Sequence, residues 1–118
     1  MPIIDIEWVG GGSRDGLCAE LAHQLAQAMG SPPGHTWVRL YPLPGINYGE
    51  DGPLPPDGPA FAKVMRGNLP SEEEMATEAK TITQVVAHVL GLESQYVHVY
   101  YEPPLRGRIS FGGEFYGT

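Results

Sequence analysis

The chain is short of basic residues and of cysteine, and each shortage excludes a class of function. Seven Lys and Arg stand against fourteen Asp and Glu, a net charge of −7. Nucleic acid needs a basic face to neutralise its phosphates, so no nucleic-acid partner is expected. An anionic membrane surface is disfavoured for the same reason. The one cysteine, Cys18, permits no internal disulfide and gives no sign of an oxidising compartment. It is expected to be a small buried residue. No apolar run approaches the roughly 20 residues that span a bilayer. The opening Met1-Pro2-Ile3-Ile4-Asp5-Ile6-Glu7 carries acids early and lacks a signal peptide's basic and apolar regions. A cytoplasmic protein is the expectation.

Metal and phosphate motifs are lacking too. His23, His35 and His88 have no ligand spacing among themselves. Glu72, Glu73 and Glu74 read as helix N-terminal acids favoured by the helix dipole. The glycines at 10–12 begin no phosphate-binding fingerprint. No metal and no organic cofactor is expected.

What is present fits one globular domain over residues 1–118, with 42% apolar residues. Ile3, Ile4, Ile6, Trp8 and Val9 make a strand-like run that stops at Gly10-Gly11-Gly12. Residues 14–29 follow a helical period, with Leu17, Leu21, Leu25 and Ala28 on one stripe and His23 off it. Gly30 and Pro32-Pro33 end that helix. Residues 35–43 read as a second strand. The segment 44–59, dense in proline and glycine, reads as a linker.

Residues 60–118 repeat the plan. Residues 60–65 are strand-like. Ser71 and Glu74 fit a capping box. Met75, Ala79, Ile82, Val86 and Val89 form the stripe of the following helix, which ends near Gly91. Residues 96–101 read as the fourth strand, and 106–113 as a short hairpin or edge strand. Pro2 and Pro59 open the two halves, and Val38-Arg39-Leu40-Tyr41 lines up with Val97-His98-Val99-Tyr100. The halves are therefore two β-α-β units, 1–43 and 60–118. The fold class is α+β, a four-stranded mixed sheet with two helices on one face. The other face is left open. Trp37, Leu40, Tyr41, Val99 and Tyr101 are assigned to it, which predicts oligomerisation.

Removal of Met1 exposes Pro2 as a secondary amine. An α-amino group has an ordinary pKa of roughly 7.7–8.0, and desolvation or a nearby cation lowers it. Such an amine is neutral near pH 7, as a general base should be. Arg39, on a strand, is the cation suited to grip a carboxylate with two parallel hydrogen bonds.

Met1-Pro2-Ile3, the segment Val38-Arg39-Leu40 and the ending Val97–Glu114, with Gly107 and Gly112-Gly113-Glu114, resemble the 4-oxalocrotonate tautomerases of the tautomerase superfamily. The two-unit length is similar to its longer members, such as macrophage migration inhibitory factor, malonate semialdehyde decarboxylase and cis-3-chloroacrylic acid dehalogenase. The resemblance covers nearly the whole chain outside residues 44–58. It implies a homotrimer with sites at subunit boundaries and a small carboxylic acid as substrate. Pro2 is then the base that moves a proton of an enol or keto acid. Arg39 binds carboxylate or enolate, for its own or a neighbour's Pro2. His98 occupies the position matching Arg39 in the second unit, and His98 or a nearby tyrosine, Tyr101, polarises the oxygen. Phe111 compensates for Ile109 as a pocket-lining aromatic, and Arg108 belongs to a basic rim that attracts substrate.

Departures from the family's pattern keep alternatives open. The family's arginine after the first strand falls near Gly12, with Arg14 close but unaligned. Ser110 or Phe111 stands where the dehalogenase has its water-activating Glu. The decarboxylase's arginine pair is not reproduced, although Arg66 is nearby. Pro59 is internal, so its amide nitrogen is no base. A tautomerase or isomerase leads. A hydratase, dehalogenase or decarboxylase of a three-carbon acid is the second reading. A non-catalytic trimeric binding protein is the third.

Overall fold

Period-two alternation along the strands decides what this molecule buries. The computed structural model describes residues 2–117. Strand β1 is Ile3–Val9, helix α1 Leu17–Met29, β2 Trp37–Leu43, β3 Ala60–Met65, α2 Glu72–Leu90, β4 Val97–Tyr101, β5 Ile109–Phe111 and β6 Glu114–Tyr116. The main sheet runs β2-β1-β3-β4, and β5 and β6 form a separate antiparallel pair. β1 is parallel to β2, β3 is parallel to β4, and the central β1–β3 pair is antiparallel. The two β-α-β units therefore lie side by side in opposite directions.

Ile4, Ile6, Ala60, Ala62 and Val64 point to the helices and form one core with Leu17, Leu21, Leu25, Ile82, Val86, Ala87 and Leu90. Full burial of such a side chain contributes about 1.5–3 kcal/mol. Helix α1 begins at Leu17, three residues later than its period predicts, because Gly16 takes a left-handed conformation at the N-cap. It ends at Gly30, also left-handed. Helix α2 has both bonds of its capping box. The Ser71 hydroxyl accepts from the Glu74 N–H, and the Ser71 N–H donates to Glu74 Oε1, each at 3.2 Å. These bonds pull the Glu74 carboxyl below its usual range, the contact with the Ser71 side chain first.

Some expectations are corrected. Cys18 is exposed. One helical step of about 100° turns it away from the stripe held by Leu17 and Leu21. Ala28 is exposed as well, since the buried stripe ends at Leu25. The open face also differs. Leu40, Val99 and Tyr101 pack against the helix-side core, because they alternate with Arg39, His98 and Tyr100. The open face carries Trp37, Tyr41 and Tyr100, which are 43%, 46% and 44% exposed. Asp5, Glu7, Arg39, Phe61, Lys63 and His98 share it by register. Among the described residues, no helix is long and apolar enough to cross a membrane.

Candidate active site

Two strands begin and two end at the same end of the sheet. Ile3 pairs with Trp37 of β2 and with Met65 of β3. One step further out, the ladder reaches Thr36, Pro2 and Arg66. The Trp37 N–H donates to the Pro2 carbonyl at 3.1 Å, which extends the β1–β2 pairing to that row. Alternation gives the row the same orientation as Val38, Ile4 and Val64, toward the helices. Pro2 is buried, and Thr36 is 9% exposed. The Thr36 hydroxyl is a buried polar group without a hydrogen-bond partner among the described residues.

Arg66 reaches under the sheet to α2. Its Nη1 donates to Glu78 Oε2 at 2.6 Å. The Tyr101 hydroxyl donates to Glu78 Oε1 at 2.7 Å. Tyr101 pairs with Val64, so it stands one helix-facing row inward from Arg66. Burial, and then the bond to Glu78, push the Tyr101 hydroxyl well above the usual phenol range, and Arg66 opposes the shift. Glu78 thus holds a cation and a neutral phenol at the Pro2 end of the sheet.

Phe111 arrives at the same end by another route. Its ring meets Trp37 edge-on, with centroids 5.6 Å apart. The C-terminal segment is anchored to the exit of β3. Leu105 N–H donates to the Arg66 carbonyl at 2.8 Å, and Arg106 N–H to the Gly67 carbonyl at 3.1 Å. Gly67 is required there, since a Cβ would lie 2.5 Å from the Tyr116 ring. Arg106 stacks over that ring at 5.3 Å. Arg108 is exposed in the turn before β5.

Arg39 lies on the open face. Its Nε and Nη2 bond the two oxygens of Asp5 at 2.5 and 2.7 Å. That bond is the main reason its pKa rises further. His98 sits in the row of Glu7 and Phe61, four residues along β1 from Ile3, or about 13 Å. Its ring is tilted against Phe61 at 5.3 Å. With Glu50, Tyr96 and Pro59 it lines a cleft of about 400 Å³. Within one chain, then, Tyr101 and Phe111 lie at the Pro2 end, while His98 lies at the opposite end with Pro59. Thr36, Trp37 and Glu78 were not anticipated as site neighbours. In the sequence Arg66 stands only near the unmatched arginine pair. The antiparallel β1–β3 pairing brings Arg66 to the row of Pro2, and no local sequence signal carries that pairing.

No family model and no curated protein matches the chain. Solved structures do. A native fused 4-OT is 22% identical, with a TM-score of 0.71 over 96% of this chain and 94% of that one. Pt0534, inactivated by 2-oxo-3-pentynoate, is 19% identical with a TM-score of 0.76 over the same shares. A macrophage migration inhibitory factor homologue from Prochlorococcus marinus is 18% identical with a TM-score of 0.74, covering 98% of this chain and 99% of that one. This chain therefore shares the fold of the fused 4-OT and macrophage migration inhibitory factor structures.

Proposed function

We propose that the protein is a cofactor-independent tautomerase that interconverts the enol and keto forms of a small carboxylic acid. The observation that carries this reading is the row in which buried Pro2 stands between Thr36 and Arg66. Removal of Met1, which lies outside the described residues, is part of the proposal. It leaves Pro2 as a secondary amine. Burial and the Arg66 guanidinium both disfavour the charged amine and lower its pKa toward neutrality. The neutral nitrogen takes the proton of the enol hydroxyl. The resulting ammonium returns that proton to the adjacent carbon, leaving the ketone and a neutral amine. Arg66 holds the substrate carboxylate with the guanidinium N–H groups that Glu78 does not engage, and Tyr101, whose O–H is donated to Glu78, fixes the Glu78 side chain that positions Arg66.

The working unit in this reading is a homotrimer. One fused 4-OT neighbour is an asymmetric trimer. The exposed Trp37, Tyr41 and Tyr100 supply an apolar surface for self-association. Arg39 and His98, on that open face, serve the site of an adjacent copy. Phe111 and Trp37 wall the Pro2 end, and Arg108 draws anionic substrate toward it.

The test is ketonisation of phenylenolpyruvate and 2-hydroxymuconate by the wild type and by Pro2→Ala, after intact mass has established that Met1 is absent. We expect Pro2→Ala to lose at least about 100-fold in kcat, within the usual range for a general base. Retained Met1, or equal rates for the two proteins, overturns the reading.

A further inference from the structure

A buried hydroxyl without a partner has given up its hydrogen bonds to water and gained none in return, so each one calls for a partner. The Thr36 hydroxyl is the buried side-chain polar atom without one among the described residues. Its position identifies the missing group. Thr36 immediately precedes Trp37, whose N–H is bonded to the Pro2 carbonyl. Continuation of the parallel register sets Thr36 directly against Pro2. Both are buried on the helix-facing side. In a chain that keeps Met1, the Pro2 nitrogen is a tertiary amide without a hydrogen. Once Met1 is removed, that nitrogen gains an N–H.

We infer that Thr36 is the positioning residue of the Pro2 amine, its hydroxyl oxygen accepting the amine N–H and so turning the nitrogen lone pair toward the substrate. The inference rests on the tautomerase reading and adds a residue to it. A secondary amine has one N–H and one lone pair. If the ring is free to present either, the base is productive only part of the time. Fixing the N–H on Thr36 leaves the lone pair for the enol proton. When the amine is protonated, Thr36 still accepts one N–H while the other is delivered to carbon. An aliphatic residue there leaves the ammonium one acceptor short and disfavours it. The ionisable neighbours of this corner are Arg66 from the β3 exit, Glu78 from α2, Tyr101 from β4 and His23 of α1, which lines a cleft with Thr36. Asp5 and Arg39 lie on the opposite face of the sheet.

Thr36→Val and Thr36→Ser, with Pro2→Ala in parallel, test this in the Met1-free full-length protein. Ketonisation of phenylenolpyruvate is followed from pH 5 to 9, and thermal unfolding is recorded alongside. Thr36→Val should lower kcat about tenfold with KM changed less than threefold, in line with losing a hydrogen bond to a charged group. Its acid limb should move to lower pH. Thr36→Ser, which keeps the hydroxyl, should restore both within about threefold. A Thr36→Val enzyme with wild-type kcat and pH profile overturns the role while Pro2→Ala remains inactive. An active Pro2→Ala overturns the role together with the reading beneath it. Loss of kcat in both Thr36 variants, with equal loss of thermal stability, also overturns it, since that marks a packing position.

Discussion

Asp5 and Arg39 face each other across the β1–β2 ladder and are joined by two hydrogen bonds, 2.5 and 2.7 Å long, on the open face of the sheet. Asp5 is 13% exposed and Arg39 56% exposed. The guanidinium is therefore presented outward while its fork is engaged by a carboxylate of its own chain. If Arg39 serves a substrate carboxylate in an adjacent copy, Asp5 competes for the same donors. Asp5→Asn should lower KM for an enol acid, and the gain should disappear in an Arg39→Gln background. A double-mutant cycle measures the coupling. An Asp5→Asn effect of the same size in both backgrounds contradicts the competition.

Tyr101 makes stability sensitive to alkali. Its folded hydroxyl holds its proton to a higher pH than the ordinary phenol value near 10, through burial and the bond to Glu78. Above that value the unfolded chain releases a proton that the folded chain keeps. Stability is then lost as pH rises. Urea midpoints should fall from pH 9 to 11 in the wild type and fall less in Tyr101→Phe. Parallel slopes for the two proteins refute the assignment.

Ser71→Ala removes one half of the capping box on α2. The expected loss is about 1 kcal/mol, read as a lower urea midpoint at unchanged m-value. The folded Glu74 carboxyl lies below its usual range, so its contribution is present above the unfolded pKa and lost as pH falls through the folded one. Ser71→Ala should therefore weaken the acid dependence of stability as well. A midpoint that does not move between the two proteins at pH 7 removes the cap from the account.

The open face should control association. Replacing Tyr100 by Glu puts a charge opposite Lys63, in the cleft that Tyr100 lines with Glu7, Tyr41 and Phe61 on the open face. Light scattering should report a smaller species than the wild type, with retained circular dichroism. A wild-type protein that is already monomeric refutes the association, and a variant of unchanged mass places its surface elsewhere.

Much of the architecture is legible in the residues because its causes are local. The stripe of Leu17, Leu21 and Leu25 fixes the buried side of α1. Ser71 and Glu74 announce the start of α2, and Gly30 and Gly91 mark the two helix ends. Faces were harder. Leu40, Val99 and Tyr101 look equally suited to either side, since hydrophobicity does not tell a residue which way its strand is turned. Their neighbours Arg39, His98 and Tyr100 resolve the matter, because one phase of the alternation must face the helices.

Local pattern already implies the two β-α-β units, their helices, and Pro2 at the head of the first strand. Periodicity, capping and internal repetition act over a few residues or recur along the chain. The antiparallel meeting of β1 and β3 was decided only in three dimensions. That pairing carries Arg66 to the row of Pro2 and His98 to the far end of the sheet. Only packing revealed that Glu78 ties Arg66 to Tyr101, and that the Thr36 hydroxyl, beside Pro2, is buried without a partner among the described residues. The physical reason is that hydrogen-bond satisfaction and strand register depend on contacts between residues distant in the chain, and local pattern does not encode those contacts.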